Sequence, residues 1–295
     1  MDELTGAPGT FHTSIRVGKG PVMQAIGLGA RWLLGDSRPC ANGRRFNHGL
    51  TPIRSERYGD CGARRHCLSI SSTHLLPVDW LQGLAVFPLP RTVFFPGTVL
   101  PLHIFEERYR AMVRHCVRTQ HMAIAVTLLK PGYESSYEGR PPIHRICGVG
   151  RIENHEELPD GRFNLVLRGV ARVQLTELPE ADFPFRLARA EVLEARQGAD
   201  RPSKEALTTL LSTASLVATV VRKQHADFSL GIAPDDPPHQ IADTLADRLL
   251  ADPEARQDVL ETLDIPTRIH KLTGHIASVL GQLETQNHTG RGTVQ

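Results

Sequence analysis

The sequence predicts an α+β protein, a strand-rich part followed by a helical bundle. Three observations carry this. Residues 78–199 show mostly strand signals: short apolar runs and period-two alternation, punctuated by Gly and Pro. Residues 200–284 change to apolar positions three and four apart, with helix start signals before each run. Residues 1–77 show neither period and are rich in Gly, Arg, Ser, His and Cys.

The 1–77 lead offers too little patterned apolar surface to offset its ordering entropy, so it is expected to be disordered. The strand part opens with the apolar run Leu84 to Leu89. Phe95-Pro96-Gly97 makes a turn, and Leu100, Leu102 and Ile104 then alternate with Pro101, His103 and Phe105. Pro101 cannot donate to a ladder, which suits a sheet edge or a bulge. A helix follows, because Tyr109, Met112, Val113, Cys116 and Val117 recur on one stripe while Arg110, Arg114 and Arg118 lie elsewhere. Met122 to Leu129 reads as a strand covered on both faces.

The stretch from Gly148 to Leu158, the turn Pro159-Asp160-Gly161 and the return through Phe163, Leu165 and Leu167 predict a hairpin. Gly169 permits a bend, and Phe185 to Leu193 makes the last strand. In the second part Ser203 is a candidate N-cap for a helix with Leu207, Leu210, Leu211, Ala214, Ala218 and Val221 on one stripe. Asp236-Pro237, Asp252-Pro253 and Pro266 mark three further starts. Residues 285–295 are polar and are expected to form a flexible tail.

Composition narrows the function classes. The first 75 residues carry ten Arg and Lys against five Asp and Glu, whereas the rest carries 24 against 27. The folded part is therefore mildly acidic, and a broad nucleic-acid face on it is not expected. The five cysteines (Cys40, Cys61, Cys67, Cys116 and Cys147) do not make a disulfide framework, and reduced thiols in the cytoplasm are the simpler reading. The most apolar early stretch, Val22 to Leu34, is interrupted by Gln24, Gly27, Gly29 and Arg31, so no membrane span is expected.

The motif that follows identifies a family. Phe87-Pro88-Leu89, Phe94-Phe95-Pro96-Gly97, the run Leu100-Pro101-Leu102-His103-Ile104-Phe105-Glu106 and Arg108-Tyr109 together resemble the opening of the Lon protease N-terminal, substrate-binding domain. Leu158-Pro159-Asp160-Gly161-Arg162, Leu167-Arg168-Gly169-Val170 and the later Arg256-Gln257, Leu260-Glu261, Leu263 and Arg268 extend the resemblance over about residues 82–284. It implies a PUA-like bent β-barrel subdomain over 78–199 and a C-terminal helical bundle over 200–284.

The resemblance also implies a function: recognition of unfolded or tagged polypeptides without catalysis, as an adaptor for proteolysis or quality control, with a protease as a further partner. Phe95, Pro96, Gly97 and Phe105 are expected first to serve shape and core, and Phe95, His103, Phe105 and Tyr109 are the substrate-binding candidates drawn from the family motif. The alternative is a PUA-like RNA-binding protein, against which the charge of the folded part speaks.

Enzyme chemistry finds no constellation. No Gly-x-x-x-x-Gly-Lys-Ser/Thr phosphate loop occurs, and the chain is expected to be a stand-alone copy without ATPase or peptidase. No cofactor or metal is expected. Cys61, His66 and Cys67, with Cys40 and His48 upstream, are spaced poorly for zinc. Cys116 and Cys147 fall on apolar stripes, where thiols act as small hydrophobes. His115 and His121 are expected at the surface, His155-Glu156-Glu157 in a solvated loop, and the exposed Tyr133 and Tyr137 in a plain polar loop between strands, with aromatic contacts to a partner as the lesser alternative.

Overall fold

The computed structural model describes residues 76–137, 139–179, 182–196 and 202–289, with side chains to residue 285. The lead and its candidate zinc ligands lie outside the described residues up to position 75. Leu76 already belongs to the folded body, packed against the barrel at 3% exposure.

A short helix, α1 (Val78–Gln82), precedes β1 (Leu84–Leu89), β2 (Val99–Ile104) and α2 (Glu107–Thr119). Then come β3 (Ala123–Leu128), β4 (Ile146–Glu157), β5 (Phe163–Glu177) and β6 (Arg186–Leu193). The helical part holds α3 (Lys204–Arg222), α4 (Pro238–Leu249), α5 (Pro253–Glu261) and α6 (Ile265–Thr289). Helix α1 was not foreseen. Helix α6 runs past residue 284, where the bundle was expected to end.

The strands pair in the order β2-β5-β4-β3-β1-β6, and β6 pairs again with β5. Five strands therefore close into a barrel, and β2 is an added edge strand whose strand partner is β5. This is the α+β class with a bent barrel that the sequence predicts, and Pro101 does sit on the edge strand. β5 closes the barrel by serving two partners. Its residues 163–168 pair with β2, and its residues 172–177 pair with β6. β1 and β3 run parallel, which requires a long crossover, and β2 with α2 supplies it.

Burial follows the period of each strand. Leu84 and Val86 of β1, Ala123 and Ala125 of β3, Cys147 and Val149 of β4, Val173 of β5 and Ala188 of β6 belong to one cluster, which fills the barrel with small and branched side chains. The alternate residues, Ala85, Phe87, Ile124 and Val126, face outward to a second cluster. There they meet Leu100, Leu102 and Ile104 of β2 and the Tyr109–Met112–Val113–Cys116 stripe of α2. The Phe94-Phe95 segment crosses two glycines. A Cβ on Gly148 would overlap the Phe94 carbonyl oxygen, and one on Gly169 would overlap that of Phe95. Gly169 also exchanges backbone hydrogen bonds with this segment, accepting from the Gly97 amide and donating to the Thr98 carbonyl, both at 2.8 Å.

The helices start largely where the sequence marks them. Ser203 Oγ accepts from the Ala206 amide at 3.1 Å, and Asp252 Oδ2 from Ala255 at 2.9 Å. Asp236 instead turns back to the Ala233 amide and leaves Pro237 at the cap, while Asp264, not foreseen, accepts from the Thr267 amide at 3.0 Å and starts α6. Among the described residues no helix is long and apolar enough to cross a membrane.

Barrel and bundle share a core rather than meeting at a linker. Val93, Phe95 and Leu128 pack with Leu210, Leu245, Leu260 and Leu272. Arg172 of β5 makes a two-point pair with Asp243 of α4, with Nη1 to Oδ2 at 2.9 Å, and its Nε donates to the Leu260 carbonyl at 3.0 Å. Arg268 of α6 reaches the same carboxylate at 3.2 Å and donates to the Thr262 carbonyl at 2.7 Å. Exposure of these three side chains is 4%, 2% and 0% for Arg172, Asp243 and Arg268. Burial, reinforced by the neighbouring Arg172, pulls the Arg268 guanidinium down to about 10.

Replacing Asp243 by Asn would leave two guanidiniums buried against a neutral partner. The expected loss is about 3–5 kcal/mol of unfolding free energy by urea titration. Asp247→Asn on the same helix, a third exposed, is expected to cost under about 1 kcal/mol.

Candidate functional site

The four residues that the family motif nominates do not converge. Phe95 has no exposed surface and lies in the core shared by barrel and bundle, with the Arg256 guanidinium 5.5 Å from its ring. His103 stands half-buried on β2, its Nδ1 2.8 Å from Asn164 Oδ1 and its Nε2 3.3 Å from Arg162. Phe105 is partly buried against the cluster between barrel and α2. Tyr109, only 4% exposed, packs its ring on Phe87 at 4.5 Å and forms part of the wall of a surface recess.

That recess holds about 60 Å³. Pro88 of β1 and Arg108 and Tyr109 at the start of α2 form one side. Tyr137, Arg140 and Pro141 from the β3–β4 connection form another, and Phe183, Pro184, Phe185 and Arg186 at the start of β6 close it. Pockets for whole small molecules run to hundreds of cubic ångströms, so this one suits a single side chain.

Its polar frame is built on Arg108. The guanidinium lies 4.7 Å from the Tyr109 ring centroid and 4.9 Å from that of Tyr137. Nε donates to Glu106 Oε2 at 3.0 Å, Nη1 to the Tyr137 carbonyl at 3.2 Å, and Tyr137 Oη donates to Glu106 Oε1 at 3.1 Å. Tyr137 is thus folded back onto α2, not displayed on an exposed loop as the sequence suggested, and Tyr133 packs 6.2 Å from it. Burial pushes the Tyr109 hydroxyl well above its usual range, and burial with the adjacent Glu106 carboxylate pushes Tyr137 up to about 12.

The rim is aromatic. Phe183 is 37% exposed, while Phe185 beside it is buried. Their rings lie 5.1 Å apart, and His115 of α2 meets Phe183 edge-on at 4.9 Å. His115 is therefore not the plain surface residue expected. Its Nδ1 is buried without a hydrogen-bond partner, and burial, then Arg118 and His121, lowers its pKa. His155, Glu156 and Glu157 sit on exposed positions of β4, in a strand and not in a loop. The sequence reading missed Phe183, Arg140 and Arg186. The signal was Phe-Pro-Phe at 183–185, of which only Phe185 was read, as the start of the last strand.

Cys116 and Cys147 are free and buried. Burial raises the Cys116 thiol to about 12 and pushes Cys147 higher. Among the described residues no group of three or more His, Cys, Asp and Glu side chains is placed to hold a metal ion.

Residues 83–278 match the model of the ATP-dependent protease La (LON) substrate-binding domain. Lon protease 2 of Myxococcus xanthus is 28% identical over 192 residues, which cover 65% of this chain and 23% of that protein. Lon protease of Anaeromyxobacter dehalogenans is 28% identical over 187 residues, 63% of this chain and 22% of that protein. The chain thus spans under a quarter of the length of these relatives. A Lon N-terminal domain protein from Xanthomonas campestris of known crystal structure is 22% identical, with a TM-score of 0.48 over 65% of this chain and 98% of that one. With the barrel and all but the end of the last bundle helix inside the matched span, the chain belongs to the family of LON substrate-binding domains.

Proposed function

We propose that this chain is a non-catalytic polypeptide-binding module that captures unfolded or tagged segments and presents them for proteolysis or quality control. The observation that carries this reading is the recess behind Phe183: side-chain sized, aromatic at its rim and framed by arginines. Exposed aromatics beside a preformed pocket are the usual anchors of protein interfaces. The titratable side chains that line the recess are arginines and raised tyrosines, which are poor acid–base catalysts near neutral pH. We place the protein in the cytoplasm, in keeping with the free thiols of Cys116 and Cys147. Tyr109 contributes to binding as a wall of the recess, and His103 and Phe105 are secondary contacts on and beside the edge strand.

The test uses the full chain and reduced, carbamidomethylated α-lactalbumin as an unfolded probe, read by fluorescence anisotropy. Saturable binding is expected, and Phe183→Ser should weaken it by about fivefold or more, the effect of losing an interface anchor. Binding of RNA in place of the unfolded probe, with a steep salt dependence, would overturn the reading.

A pH signature accompanies the patch. A His115 whose folded pKa is depressed contributes stability above its ordinary value near 6.5, and that contribution is lost as the pH falls through the folded value. Thermal melts between pH 7.5 and 5 should show a steeper acid loss for the wild type than for His115→Phe.

A further inference from the structure

The recess joins two features that do not usually share so small a space: apolar aromatic walls and three guanidinium groups. Arg108, Arg140 and Arg186 all line it, and no Asp or Glu is among its lining residues. The nearest partners are already engaged. Glu106 holds Arg108 at 2.9 Å and accepts from Tyr137, and Glu177 approaches Arg186 at 3.4 Å while more than a third exposed. Arg186 is otherwise fixed by donating to the Pro141 carbonyl at 2.8 Å, which ties the two walls together. It is 7% exposed, so its charge is held in place with little water around it.

We propose, building on the polypeptide-binding reading above, that the recess receives the carboxylate of an Asp or Glu side chain that lies next to an apolar residue in the bound segment. Three observations converge on this. The space suits one side chain. The guanidiniums set a positive field that favours a carboxylate, although Arg108 and Arg186 already donate to neighbouring groups. Phe183 at the rim offers a face to the neighbouring apolar residue. The like charges also act on one another: burial, with Arg140 and Arg108 nearby, lowers the Arg186 pKa despite Glu177, and an incoming anion relieves that repulsion. A nucleic-acid phosphate would bring the same charge, but the folded part carries 24 basic against 27 acidic residues beyond position 75 and does not attract a polyanion.

The test measures anisotropy of fluorescein-labelled, amidated twelve-residue Gly/Ser peptides that differ only at a central Phe-Glu or Phe-Gln. A third peptide carries Phe-Gln at a free C-terminal carboxylate, and an oligouridylate of equal length serves as the phosphate probe. Phe-Glu is expected to bind about tenfold tighter than Phe-Gln, the worth of a charge-assisted hydrogen bond. Arg140→Gln, an exposed position chosen so that the fold survives, and Arg186→Gln, accepted only if its melting is cooperative, should each lower the Phe-Glu affinity toward that of Phe-Gln. Equal affinity for Phe-Glu and Phe-Gln while unfolded α-lactalbumin still binds would overturn the carboxylate assignment and leave the broader reading standing. A preference for the free C-terminus or for the oligouridylate would overturn it as well, and loss of all polypeptide binding would overturn both.

Discussion

The carboxylate of Asp243 is the point on which the rest of the structure turns. It lies between two guanidiniums that come from different parts of the chain, Arg172 from the barrel and Arg268 from the last helix. Burying three charges costs several kcal/mol per ion, and only mutual pairing with full hydrogen bonding offsets it. That condition is closely met, because the remaining donors reach the carbonyls of Leu260, Thr262 and Leu263. The arrangement is directional where the surrounding apolar core is not. It fixes one orientation of bundle on barrel, and Arg256 to the Val93 carbonyl and Gln257 to the Ile146 carbonyl, at 2.9 and 2.8 Å, repeat the same theme nearby.

Rigidity matters for the recess because its walls are discontinuous in sequence. Residues 108–109 ride on the crossover helix, 137 and 139–141 on a connection and 183–186 on the approach to β6. Pairing of β6 with β1, which sets Arg186 opposite Val86, brings the last of these alongside the first. Arg186 then staples it to Pro141, and Tyr137 staples the connection to Glu106. A preformed site of this kind loses little conformational entropy on binding.

Much of the fold was legible in the sequence, since each strand and helix buries a face at its own period. Alternation at Leu100, Leu102 and Ile104, the stripe of α2 and the caps at Ser203 and Asp252 are local signals and appear where expected. Barrel closure was not readable from spacing, because the double duty of β5 depends on long-range pairing. The family motif was visible and placed Phe95 in the core, but the contacts it makes were not: Phe95 and Gly169 meet as strap and strand, and Arg256, Gln257 and Arg268 hold the bundle to the barrel. The site was the least legible part. Phe183 and Arg186 are unremarkable in a polar stretch until folding sets them beside Arg108 and Tyr137.

The most direct measurement is hydrogen–deuterium exchange of the full chain with and without reduced, carbamidomethylated α-lactalbumin. If a rigid body offers one recess to a passing polypeptide, exchange slows in peptides spanning residues 137–141 and 182–186, and amides around Arg172 and Asp243 stay unchanged. Slowing confined to the exposed side of α3 or to β2, or faster exchange across the barrel–bundle junction on binding, would contradict the account.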